Sequence, residues 1–161
     1  MIEVQSLSRF YGSRCAVDGV SFSIHANEVV GFLGLNGAGK TTTLKVLAGL
    51  LLPSGGGVMV DGVDMSESPT DVRARIGFLP EDPPLYTEMT VRDFLGFVGG
   101  LRGMSEKTIE ARLPEVLKKT NLADVADRVI AELSHGYRKR VGIAQAIIHQ
   151  PKLVILDEPI S

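Results

Sequence analysis

Gly34-Leu35-Asn36-Gly37-Ala38-Gly39-Lys40-Thr41-Thr42 brings three glycines, a lysine and two hydroxyls together at a spacing suited to phosphate. Its first eight residues fit the Gly-x-x-x-x-Gly-Lys-Ser/Thr pattern. Glycines let the backbone curl so that successive N–H groups point inward at anionic oxygens. A helix opening near Lys40 adds the positive end of its dipole to the same place. In that chemistry Lys40 reaches the β and γ phosphates of a nucleotide, and the Thr41 hydroxyl ligates Mg2+. The competing reading, a glycine-rich turn that matches by accident, does not account for the context. An apolar run precedes the loop and a helix-like stretch follows it, as the mechanism requires.

Nucleotide hydrolysis also needs a second carboxylate on the metal and a base to orient water. Both candidates follow the apolar run Leu153–Leu156: Asp157 for Mg2+ and Glu158 as the general base. The C-terminal end of a strand is where open α/β sheets bind ligands. An isolated strand ending in two solvated acids is common; beside a phosphate loop, the catalytic reading is preferred.

The elements that must position these residues fall into two unlike parts. Up to about residue 85 the chain alternates turns with strand-like runs at 2–7, 17–24, 29–33, 58–60 and 76–79. Residues 29–33 are continuously apolar, as expected of a strand buried on both faces, and lead into the loop and a helix over 40–50. From about 90 to 150 the pattern becomes helical. Thr90 is suited to cap a helix over 91–98, Ser105 one running toward Thr120, and Ser134 one over 136–149. Pro114 should kink or split the second of these. A final strand, Leu153–Leu156, returns the chain to the sheet. No internal repeat or low-complexity tract interrupts this order.

Composition bounds the rest. The 161 residues are enough for one domain with a real core. With 44% hydrophobic and 22% charged residues the chain is that of an ordinary soluble globular protein. The longest apolar stretches, 29–35 and 46–52, are far short of the roughly 18 residues of a membrane span. No charged and apolar leader opens the chain, and a lone Cys15 fits a reducing, cytosolic compartment. No histidine is placed to activate that thiol. A formal charge of −2 exerts no global pull on nucleic acid. Residues 102–140 hold nine Lys/Arg against six Asp/Glu, much of the excess in Arg138-Lys139-Arg140. Basic residues near a phosphate-facing helix need no nucleic acid to explain them.

Three motifs in one order carry a family resemblance: the loop at Gly34–Thr42, Leu133-Ser134-His135-Gly136-Tyr137, and the strand ending in Asp157-Glu158-Pro159. Together they resemble the ATPase subunits of ABC transporters, over nearly the whole chain. The resemblance implies an α/β P-loop NTPase of ABC ATPase type, with a mixed β-sheet core and a helical subdomain. Its nucleotide-binding core would be 1–89 with 150–161, and its helical subdomain 90–149. Within it, Gly34, Leu35, Asn36, Gly37, Ala38, Gly39, Lys40, Thr41 and Thr42 bind ATP, and Tyr11 stacks on adenine unless it merely packs at its turn. Ser134 and Gly136 bind the γ-phosphate of ATP held by a second subunit, in a head-to-tail dimer; the physical basis is again a helix N-terminus. Stretch 77–91 looks closest to subunits that partner ABC-2-type permeases. Residues 81–89 and the helix from Thr90 would face that permease, on the cytoplasmic side of the membrane, with no nucleic acid partner expected. The other readings are a non-transport ATPase acting on nucleic acid or ribosomes, and an inactive fragment.

The chain departs from the family's pattern in several places. His135 and Tyr137 replace the third and fifth residues of a signature that usually reads Leu-Ser-Gly-Gly-Gln, and His135 is read as a solvated helix-start residue. Glu81 stands where a glutamine is usual, a carboxylate still able to reach Mg2+ or its water. Ile160 stands where a threonine is usual, and His149 precedes the two acids, so it is not the family's switch histidine. The resemblance further implies an aspartate-bearing dimer loop, another strand and that histidine beyond Glu158. The expectation is a cassette incomplete at its C-terminus, with a gap between the loop strand and the Asp157 strand and weak turnover by itself.

Overall fold

Alternating apolar residues in the first sixty positions build an antiparallel sheet. In the computed structural model, residues 2–159 are described. The chain divides into two units, residues 1–73 and 74–161. Ile160 lies outside the described residues.

The first unit contains β1 (Ile2–Tyr11), β2 (Arg14–Ile24), α1 (Lys40–Leu47), β3 (Gly55–Val60) and β4 (Val63–Asp64). The four strands form one antiparallel sheet in the order β2-β1-β3-β4. Ile2 pairs with Val60 and Val4 with Val58, and all four side chains are buried, so one face of the sheet is apolar. Helix α1 buries Thr43, Val46 and Leu47. It ends at Leu47, three residues before the expected limit, because Gly49 adopts a left-handed φ of 70° that closes helices.

Residues 29–33 are not the buried strand their composition predicts. They join no sheet, and Val29 and Leu33 are almost fully exposed, at 102% and 94%. An apolar run becomes a strand only when a neighbour takes its N–H and C=O groups. No described residue does so here.

Short helix α2 (Pro69–Ala74) spans the junction. The second unit holds β5 (Ile76–Leu79), α3 (Val91–Leu101), α4 (Glu106–Lys119), α5 (His135–Ile147) and β6 (Leu153–Leu156). Strands β5 and β6 pair in parallel, from Ile76 against Leu153 to Leu79 against Leu156. The three expected caps are present. Thr90 accepts from Asp93 N–H at 3.1 Å, Ser105 from Thr108 N–H at 3.2 Å and Ser134 from Tyr137 N–H at 3.4 Å. Phe94, Leu95, Val116, Leu117, Leu122, Ile130, Val141 and Ala144 form the centre of the helical core.

Pro114 does not divide α4, which runs unbroken from Glu106 to Lys119. The proline forfeits one backbone bond. Leu113, Val116 and Leu117 are buried on either side of it, and Lys119 pairs with Glu115 at 2.7 Å. Their burial outweighs one missing bond. Helix α5 is also set differently from the expectation, beginning at His135 and ending at Ile147.

Candidate functional site

The phosphate loop belongs to the first unit, where two backbone conformations shape it. Gly37 has φ 83° and Gly39 φ 88°, values that L side chains rarely adopt. Gly39 is also hemmed in, since a Cβ there would lie 2.3 Å from the Ala16 carbonyl oxygen of β2. Glycine at 39 is therefore required twice, by dihedral and by space. Ala38 N–H donates to the Leu35 carbonyl at 3.1 Å, and the first helical bond of α1 runs from Thr43 N–H to Gly39 at 2.8 Å. The opening turn of a helix directs its N–H groups at whatever faces it. Lys40 does not extend into solvent. Its ammonium donates to the carbonyls of Gly34 at 2.8 Å and Leu35 at 3.1 Å, across the mouth of the loop. Thr41 and Thr42 follow on the first turn, partly buried, while Leu35, Asn36 and Ala38 are exposed.

Tyr11 stands at the hairpin between β1 and β2, directly opposite Arg14. Its ring is 46% exposed, with the Arg9 guanidinium 5.0 Å from its centre. Much of the ring therefore remains open to solvent. Cys15 is exposed.

The remaining candidates lie in the second unit. Asp157 follows β6 directly, is 5% exposed, and its N–H donates to the Leu79 carbonyl at 2.9 Å. That bond sets Glu81 and Glu158, both exposed, past the ends of adjacent parallel strands. Glu158 adopts φ 51°, a left-handed conformation that costs a non-glycine residue about 1–2 kcal/mol. Ser134 and Gly136 are exposed at the start of α5, and nothing stands within 4 Å of a Cβ placed on Gly136. His135 is exposed there too, as expected.

One residue of this cluster was not anticipated from the sequence. Lys139 is 7% exposed, and its ammonium donates to the main-chain carbonyls of Glu81 and, at 3.4 Å, of Glu158. In sequence it stands within the basic run Arg138-Lys139-Arg140. The signal lay in helical spacing, since Gly142 and Ala146 fall three and seven residues later on the same stripe. Both pack toward β5: a Cβ on Gly142 would lie 2.6 Å from Leu79 Cδ1, and the Ala146 carbonyl oxygen would lie 1.9 Å from a Cβ on Gly77. A lysine one turn ahead of them faces the same strand ends.

Comparison with known proteins decides the affiliation. Residues 17–161 match the family described as ABC transporter. The chain belongs to that family. It is 44% identical, over its full length, to YxlF of Bacillus subtilis (strain 168), an uncharacterised ABC transporter ATP-binding protein of which it covers 53%. It is 43% identical over 145 residues to the ABC transporter ATP-binding protein NatA of the same organism, covering 89% of this chain and 59% of NatA. A solved structure described as the ATP-binding subunit of an ABC transporter superposes with a TM-score of 0.88 at 34% identity. That match covers 99% of this chain and 66% of the other. The chain thus spans about half the length of the curated relatives it matches. Its fold is that of the ABC ATPase nucleotide-binding domain, in part. Among the described residues no helix is long and apolar enough to cross a membrane.

Proposed function

We propose that the protein is an ATP-binding and ATP-hydrolysing subunit that powers transport of a substrate through a separate membrane permease. The observation that supports this most strongly is Lys40 held across a glycine loop at the opening of α1, in a chain of the ABC transporter family. Residues 34–42 cradle the phosphates of ATP through backbone N–H groups and the Lys40 ammonium. Tyr11 stacks on the adenine.

The residues present also fit Mg2+, which is usually held by one or two carboxylates together with substrate phosphates. Within the second unit Asp157 would hold the ion and Glu81 would contribute directly or through water; within the first, the Thr41 hydroxyl is the candidate ligand. When bound, the ion neutralises charge on the β- and γ-phosphate oxygens. Glu158 lies next to Asp157 and is exposed, so it is free to orient water and take its proton. Ser134, Gly136 and the N-terminus of α5 take the γ-phosphate of ATP bound to a second subunit in a head-to-tail dimer. The permease holds the protein at the cytoplasmic face of the membrane, and nucleic acid is not a partner.

Titration of the full-length protein with ATP and Mg2+ tests the binding step. Lys40→Ala should weaken affinity by about ten- to a hundredfold, the size of a charged hydrogen bond. Equal affinity in the two proteins would overturn the reading of the loop. Isolation from cells tests the transport step. A polytopic membrane protein should accompany the full-length protein; nucleic acid or ribosomes in its place would contradict that step.

A further inference from the structure

The amine of a lysine 7% exposed requires partners, because a buried ammonium without hydrogen bonds is strongly destabilising. Lys139 finds them on two loops distant in sequence, at Glu81 and Glu158. Both acceptors are main-chain carbonyls, so these contacts fix backbone and leave both carboxylates available for other work. One of them belongs to a residue held at φ 51°, which relaxes unless neighbouring contacts hold it. Lys139 itself lies little more than one turn beyond Ser134, the cap of α5.

From this geometry we propose that Lys139 is a positioning residue for ATP hydrolysis. It ties the backbone of Glu158 and of the Glu81 loop to the helix that Ser134 opens. The inference rests on the proposed function for its catalytic meaning, while the tie itself is a property of this chain alone. Glu158 is useful as a base only when its carboxylate is correctly placed, and small displacements of a catalytic group are costly. A helix whose first turn meets a phosphate would thereby also set the base two loops away.

The test compares wild-type full-length protein with Lys139→Met and Lys139→Gln. Hydrogen exchange, measured without nucleotide, should be about tenfold or more faster in Lys139→Met at Asp157, whose N–H donates to the Leu79 carbonyl beside both tied loops, with α3 and α4 unchanged. In steady state kcat should fall about tenfold or more while KM stays within about twofold, since the residue touches no substrate. Lys139→Gln, which retains an N–H donor, should lie between the two. If Lys139→Met loses protection throughout α3 and α4, Lys139→Gln is judged by the same exchange and kcat criteria. Unchanged exchange at Asp157 would overturn the tie, and faster exchange there with an unchanged kcat would overturn the positioning role. Failure of the functional reading is distinguishable, because the wild-type protein would then hydrolyse no ATP while its exchange still responded to the substitution.

Discussion

The Lys40 ammonium lies 2.8 Å from the Gly34 carbonyl, at opposite ends of the phosphate loop. The loop is thus closed by its own cation, which is held where anionic oxygens would meet it. Preorganisation of this kind lowers the cost of ordering a flexible side chain when ligand binds. The same closure depends on the backbone beneath it, and that dependence can be tested at two glycines.

Gly39→Ala should be more damaging than Gly37→Ala. Both positions have positive φ, so each substitution carries a strain of about 1–2 kcal/mol. Only at Gly39 does the new methyl also meet backbone, at Ala16, while the space around Gly37 is open. Thermal midpoints of the full-length variants should fall in the order wild type, Gly37→Ala, Gly39→Ala, with the last lower by about 4 °C or more. Equal midpoints for the two variants would refute the close approach of β2.

Gly77→Ala tests the packing of α5 on β5. A methyl at Gly77 would meet the Ala146 carbonyl at 1.9 Å, so helix and strand must separate. Overpacking of this kind costs about 1–3 kcal/mol. Chemical denaturation of the full-length variant should show a loss in that range, with faster hydrogen exchange in β5 and α5. A loss below about 0.5 kcal/mol would mean that the two elements are not in contact as described.

His149 gives the fold a dependence on acid. Burial, and after it the positive charge of Arg102, push its imidazole below the ordinary value of 6.5, while the hydrogen bond to the Ile76 carbonyl opposes them. Below about pH 6.5 the unfolded chain therefore binds more protons here than the native state does. Stability falls as pH drops through that value and gains nothing from this group above it. Between about pH 7.5 and about pH 5.5 the thermal midpoint of wild type should fall further than that of His149→Gln. Parallel declines would remove the histidine from the account.

Features governed by near neighbours were legible in the sequence, and features governed by distant ones were not. Thr90, Ser105 and Ser134 announce helix starts because a cap needs only the residues three positions on. The loop at Gly34–Lys40 is readable for the same reason, its glycines and lysine acting on one another. Residues 29–33 have a strand's composition, but a strand also needs a partner, which no local pattern supplies. Pro114 reads as a breaker until the burial of Leu113, Val116 and Leu117 is known. Lys139 was hidden by its neighbours, since Arg138-Lys139-Arg140 reads as a solvated run although one of the three turns inward.

The steady-state rate of ATP hydrolysis by the full-length protein, compared with its Glu158→Gln variant, tests the central claim most directly. Wild type should turn over in the presence of Mg2+. The variant should bind ATP with similar affinity, accumulate as an ATP-bound dimer, and turn over about a hundredfold more slowly or less. Hydrolysis at the wild-type rate by the variant would contradict the assignment of Glu158 and the reaction built on it.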